Sequence, residues 1–185
     1  MENYQAVALA QNQFLETERL ILRPVVLTDA DALYAYASDA ETIKYLSFEK
    51  HESIDESYQA IASYFLASPL GKYALVLKED KTMIGTIDLR LDVGYIAEIG
   101  YVLNPKFSGR GYMSEAAKRI VKLGFEQCNC KKIYSKYDVS NGKSGKVMER
   151  IGMKPEGILR ASFELKGKLS DIAYYGILKK EYDAL

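Results

Sequence analysis

Between Tyr95 and Cys128 the hydrophobic period of the chain changes once, and the rest of the sequence arranges itself around that change. Tyr95 to Leu103 is apolar on both alternating faces apart from Glu98, the pattern of a strand covered on both sides. Asn104 and Pro105 stop such a strand, and Ser108-Gly109-Arg110-Gly111 follows as a glycine-rich turn. Beyond it Met113, Ala116, Ala117, Ile120, Val121 and Gly124 recur on one face at helical spacing. The stretch predicts strand, glycine turn and helix. A helix start offers unpaired N–H groups and a partial positive charge, and glycine lets a phosphate approach the main chain closely. Two well-known phosphate loops are excluded, because there is neither a G-x-x-x-x-G-K-S/T run nor a third glycine within a βαβ unit.

Taken in order, residues 1–13 carry no clear period and read as a loose arm or a short helix. Phe14 to Arg23 alternates as a strand that Pro24 stops, and Thr28 is placed to cap a helix through Leu33 and Tyr34. Ser53 opens a second helix with Tyr58, Ile61, Ala62 and Phe65 on one face, ending before Pro69. Tyr73–Leu77 and Met83–Leu91 form a strand pair turned through Glu79-Asp80-Lys81. In the second of these, Thr86, Asp88 and Arg90 make a half-exposed face and Gly85 marks a bulge. Ile133 to Val139 is a further strand. Asn141 is placed to cap a helix carrying Val147, Met148 and Ile151, with Gly152 as its stop. Gly157–Leu165 and Ile172–Leu178 close the chain as a hairpin across Lys166-Gly167-Lys168. The order β-α-α-β-β-β-α-β-α-β-β predicts a mixed α/β (α+β) sheet with helices on both faces. An arm, residues 1–13, then precedes one domain, residues 14–185.

Composition narrows the function. Lys plus Arg and Asp plus Glu balance at 25 each, so no global field favours nucleic acid or an acidic membrane. Cys128 and Cys130, with His51 the single histidine, fall short of a zinc set or a disulfide framework and read as reduced thiols. No apolar run approaches a membrane span and the first residues lack a signal-peptide order, so a cytoplasmic protein is expected.

The run Pro105 to Ala116, PKFSGRGYMSEA, resembles the coenzyme motif Q/R-x-x-G-x-G/A of the GNAT N-acetyltransferases, with Lys106 at the Gln/Arg position. Asn141-x-x-Ser144-x-x-Val147-x-Glu149-x-x-Gly152-Met153 is similar to N-x-x-S-x-x-V-x-E-K-x-G-F of the branch that contains the ribosomal-protein N-terminal acetyltransferases (RimJ/RimL type). Arg150 and Met153 replace the usual Lys and Phe. Glu16-Thr17-Glu18-Arg19-Leu20-Ile21-Leu22-Arg23, Glu156 to Arg160 and Asp171 also resemble that branch. The resemblance implies a mostly antiparallel GNAT sheet, acetyl-CoA as cosubstrate, no metal, and transfer to a primary amine. The two early helices would wall the acceptor cleft.

On that resemblance the amides of Ser108, Gly109, Arg110, Gly111, Tyr112 and Met113 would hold the pyrophosphate, with Lys143 and Lys146 adding charge nearby. The strand end Tyr101, Val102 and Leu103 would lie along the coenzyme, a backbone N–H near Val102 meeting the charge that develops on the carbonyl. Asn141 would touch the pantetheine arm as well as cap its helix. Glu98, the lone charge of an apolar strand, is the candidate base, because desolvation raises the basicity of such a group; it also fits a structural carboxylate bonded to a neighbouring strand or helix. Met148 stands where many GNAT enzymes place a general-acid tyrosine, which leaves Ser144 as the candidate acid. Deprotonating an α-amine at pH 7 costs about 1 kcal/mol and a lysine about 4.6 kcal/mol, which favours a protein N-terminus as acceptor. A small amine (polyamine, amino acid or antibiotic) and a non-catalytic acyl-CoA-binding module are the alternatives. No nucleic acid or membrane partner is expected, and a homodimer is left open.

Overall fold

The computed structural model describes residues 3–185, so the first two residues of the expected arm lie outside the described residues. The rest of that arm forms a helix, α1 (Asn3–Gln11), whose Leu9 is fully buried while the Gln5 amide donates to the Cys128 carbonyl at 3.1 Å. The predicted first strand is interrupted. It forms β1 (Leu15–Glu16) and β2 (Leu20–Arg23), because Thr17 folds the chain back by accepting the Leu20 N–H on its Oγ and donating its own N–H to the Leu20 carbonyl.

One eight-stranded sheet carries the molecule, in the order β1-β2-β3-β4-β5-β6-β8-β7. Its remaining strands are β3 (Lys72–Leu77), β4 (Met83–Leu91), β5 (Ile96–Leu103), β6 (Lys132–Asp138), β7 (Lys154–Leu165) and β8 (Lys168–Leu178). Every pairing is antiparallel except β5 with β6. Alternation on β3 sends Tyr73, Leu75 and Leu77 into one core and Ala74 and Val76 into another.

The larger core packs α1 and α5 (Tyr112–Glu126) on one face of the sheet. The predicted stripe of α5 is buried from Met113 to Phe125, and each fully buried Ile or Leu there contributes roughly 1.5–3 kcal/mol. Gly124 brings that helix close to β6: a Cβ there would stand 2.6 Å from Ile133 Cδ1. α6 (Gly142–Arg150) lies beside α5 and buries Met148 in the same core.

The opposite face carries α2 (Ala30–Ala37), α3 (Ala40–Ile43) and α4 (Ile54–Ala60), the last continuing through wider turns over Ile61–Leu66. Asp29, not Thr28, anchors the start of α2: its buried carboxylate accepts from the Val26 N–H and from both ends of the Arg23 guanidinium. The chain ends in α7 (Lys179–Tyr182). Among the described residues no helix is long and apolar enough to cross a membrane.

Candidate active site

β5 and β6 run side by side only at Ile96–Lys132, Ala97–Ile133 and Glu98–Tyr134. Beyond that point β6 follows β8 out to Asp138, whereas β5 stays with β4 out to Leu103. The two central strands therefore fork. At the fork Ser135 Oγ donates to the Ile99 carbonyl at 2.8 Å, replacing the backbone bond that a continuing ladder would supply. Farther along, the Tyr101 hydroxyl spans the gap and donates to the Ser144 carbonyl in the first turn of α6, at 2.9 Å. Burial pushes the Tyr101 phenol well up, so it remains a donor.

Main-chain groups alternate along a strand as side chains do. The Ile99 carbonyl faces the gap, so the N–H groups of Tyr101 and Leu103 face it too. Val102 turns the other way: its carbonyl presses on β4, 2.3 Å from where a Cβ on Gly85 would stand, which is why that position requires glycine. The donor expected near Val102 is thus narrowed to its two neighbours.

A cavity of about 510 Å³ fills the fork and the space above it, within the range of small-ligand sites. Tyr36, Phe48 and Tyr64 wall it on the side of α2 and α4. Phe163, Leu165 and Tyr174 wall it from the β7–β8 hairpin, whose Lys166 ammonium donates to the Ile43 carbonyl at 2.9 Å. Asn141 and Ser144 lie at its α6 end, so Glu98, Tyr101, Val102, Asn141 and Ser144 do share one cavity.

Glu98 is not a solitary charge. Its Oε1 meets Arg90 at 3.0 Å and Lys136 at 3.5 Å, and Tyr134 donates to its Oε2 at 3.3 Å. Asp88, only 7% exposed, accepts from Arg90 at 2.7 Å, from the Tyr64 hydroxyl at 2.6 Å and from the Gly100 N–H at 2.9 Å. The guanidinium lies directly on the central strand, since a Cβ on Gly100 would stand 2.5 Å from Arg90 Nη1. Burial, with the nearby Asp88 carboxylate, pushes the Tyr64 phenol up to about 12; burial and Glu98 do the same for Tyr134. Both phenols serve as donors to the carboxylates. This cluster was missed as a unit. Its signal was the face Thr86, Asp88 and Arg90, read as half-exposed, of which the first two are buried, Thr86 beside Tyr36 of α2 and Asp88 beneath Tyr64.

The glycine turn lies at the far end of β5. A short turn over Pro105–Phe107, closed by Asn104 Oδ1 accepting the Lys106 N–H at 3.0 Å, leads into it. Gly109 and Gly111 have φ of 79° and 81°, and a Cβ on Gly109 would meet nothing within 4 Å. Gly111 occupies the N-cap position of α5 without a side-chain cap, which leaves the first N–H groups of the helix to a ligand. Ser108, Gly109, Arg110 and Gly111 are exposed and Tyr112 is half-buried; Met113 turns its side chain into the core, so only its backbone can serve a ligand.

Lys143 and Lys146 are exposed on α6. Asn141 holds the N-cap position, but its side chain makes no capping bond; its carbonyl accepts the Ser144 N–H instead. Its amide is therefore not committed to the helix. Gly145 admits the Tyr137 hydroxyl, which would stand 2.6 Å from a Cβ there. His51, buried against the cavity wall, bonds Ser57 Oγ through Nδ1 at 2.8 Å, and burial lowers its pKa. Cys128 and Cys130 are buried free thiols, which burial pushes up to about 12 and about 11. Among the described residues no three His, Cys, Asp or Glu side chains are grouped to hold a metal.

Comparison with known proteins places this geometry. The family model described as an acetyltransferase (GNAT) domain matches residues 19–154. N-acetyltransferase p20 of Bacillus licheniformis is 33% identical over 173 residues, 91% of this chain and 97% of the relative. Spermidine N(1)-acetyltransferase of Vibrio cholerae is 25% identical over 167 residues, 89% of this chain and 95% of its own length. The crystal structure of a GNAT-family acetyltransferase from Bacillus anthracis superposes with a TM-score of 0.83 at 28% identity, covering 90% of this chain and 99% of that one. The fold is thus shared over nearly the whole chain, and the chain belongs to the GNAT family of acetyl-CoA-dependent N-acetyltransferases.

Proposed function

We propose that the chain acetylates the α-amine of a protein or peptide N-terminus by direct transfer in a ternary complex, as a cytoplasmic enzyme of the RimJ/RimL-like branch. The observation that carries this reading is the internal pairing of the charges over the fork. Asp88 and Glu98 are already matched by Arg90 and Lys136. A polyamine brings several ammonium groups and needs unmatched carboxylates to receive them. An α-amine is neutral in appreciable fraction at pH 7 and can enter without such a charge. The motif from Asn141 to Met153 supports the branch.

Acetyl-CoA, when bound, supplies an activated acyl group. The N–H groups of the turn from Ser108 to Met113 would hold its pyrophosphate, aided by Lys143 and Lys146, and the uncommitted Asn141 amide would hold the pantetheine arm. The Tyr101 and Leu103 N–H groups face the gap and would stabilise negative charge on the carbonyl oxygen. Glu98 would receive the amine proton through water: a carboxylate has about four lone-pair positions, and three partners contact this one. Ser144 would direct its hydroxyl toward the departing sulfur.

The second reading, a small polyamine acceptor, is favoured by the likeness to a protein named spermidine N(1)-acetyltransferase. Thiol release from acetyl-CoA, followed with flexible N-terminal peptides, spermidine and an aminoglycoside, separates the two. The α-amine reading expects the highest kcat/KM with the peptides; a higher value with spermidine overturns it.

A further inference from the structure

The turn between β1 and β2 places Arg19 beneath the glycine turn, 96 residues away in sequence from Glu115. Every polar arm of this arginine is engaged. Nε donates to Glu115 Oε2 at 2.7 Å, Nη2 approaches the same oxygen at 2.6 Å, and Nη1 donates to the Arg110 carbonyl at 3.0 Å. Its guanidinium covers the Tyr112 ring at 4.5 Å from the centroid. The Arg19 N–H and the Thr17 hydroxyl donate to the other Glu115 oxygen at 2.9 and 2.6 Å. Burial works against ionisation of Glu115, but the bonds from Thr17 and Arg19 prevail and hold its carboxyl below the usual range.

Elementary geometry and charge give this brace two consequences. The peptide joining Arg110 to Gly111 is planar and trans, so its C=O and N–H point in opposite directions. Drawing the Arg110 carbonyl down onto Arg19 turns the Gly111 N–H to the opposite, exposed side of the turn. Second, Glu115 lies in the first turn of α5, where it favours the helix dipole yet would repel a bound phosphate. Arg19 matches that charge at contact distance.

We propose that Arg19 is a positioning residue for coenzyme binding: it aims the Gly111 N–H at the pyrophosphate and cancels the charge of Glu115 beside it. The inference rests on the reading that the pyrophosphate binds at Ser108–Met113. It assigns a task to the Thr17 and Arg19 stretch of the opening motif that neither the acceptor cleft nor the chemistry at the fork requires.

Calorimetric titration of the full chain with CoA tests it, alongside unfolding temperatures without ligand. Arg19→Gln is expected to raise Kd by roughly 10- to 100-fold, the scale of a lost hydrogen bond to a charged group. At saturating acetyl-CoA its kcat should stay within about threefold of wild type, the loss appearing in the KM for acetyl-CoA. Glu115→Gln alone should change Kd by no more than about threefold. Added to Arg19→Gln, it should restore at least about threefold of the lost affinity, because the repulsion has gone. A purely structural clamp predicts no such recovery. Should Arg19→Gln fail to fold, Arg19→Lys carries the same test with the charge kept and the fork lost, and about a three- to tenfold rise in Kd is expected. Gly111→Val serves as the control on the site. If it leaves CoA affinity intact, the coenzyme reading itself fails; if it weakens binding while Arg19→Gln and Arg19→Lys do not, only the role of Arg19 is overturned. A double variant as weak as Arg19→Gln alone also overturns the charge argument.

Discussion

Arg90 and Glu98 stand directly opposite each other on β4 and β5 and join their side chains in a 3.0 Å ion pair over the central strand of the sheet. The pair decides how Glu98 can act. Held from one side by Arg90 and from another by Lys136, the carboxylate is fixed in orientation, and as the proposed base it would take a proton through the position Tyr134 leaves open.

For this reason Glu98→Gln, which keeps the size of the side chain, should lower kcat at pH 7 by roughly 10²-fold, the usual scale for a lost general base. The deficit should shrink as rising pH supplies the neutral amine unaided. A pH–rate profile measures this directly. A deficit that stays constant from pH 7 to pH 9 would make Glu98 a residue that positions Arg90 and Lys136 rather than one that takes the proton.

Ser144→Ala tests the other end of the fork. The backbone of Ser144 is anchored by the Tyr101 hydroxyl, so truncating the side chain leaves that tie in place. One hydrogen bond to a charged partner is worth roughly 1.5–3 kcal/mol, so kcat should fall between about ten- and a few hundred-fold. CoA affinity should hardly change, because the bond strengthens as charge forms on sulfur. An unchanged kcat, with chemistry verified as rate-limiting, would reduce Ser144 to a residue of the helix start.

The single histidine makes a pH signature assignable. His51 is buried against Phe48 and Ser57, between Lys50 and Glu52 in the chain, and burial lowers its pKa from the ordinary 6.5 against the opposing pull of the Glu56 carboxylate. The folded state thus favours the neutral ring. The stability it contributes is present above pH 6.5 and is lost as pH falls from there toward the folded value. The unfolding temperature of the wild type should therefore drop as pH falls below 6.5, and His51→Gln should flatten that slope. An equal slope in both proteins would assign the loss to carboxylates.

What the sequence revealed and what it hid divide along a physical line. β5, the glycine turn and α5 are local: their period is written in consecutive residues, and glycines with positive φ announce the turn. The break at Thr17 was not visible, because its cause is a side chain bonding its own backbone inside an otherwise alternating run. Glu98 looked solitary because its partners come from other strands, Arg90 across a turn and Lys136 from β6. One clue did exist: Arg90 and Glu98 lie four residues on either side of Gly94, the spacing that a hairpin centred there would make opposite. The brace from Arg19 to Glu115 had no such clue, since only the folded sheet brings the first hairpin under α5.

The most direct test of the account uses one flexible peptide carrying a free α-amine and a single lysine, offered with acetyl-CoA at pH 7, with the acetylated position mapped by fragment mass spectrometry. Neutralising the lysine costs roughly 3.5 kcal/mol more than neutralising the α-amine. The account predicts early product acetylated at the α-amine in at least about tenfold excess over the lysine. Equal acetylation of the two positions, or modification of the lysine alone, would contradict it.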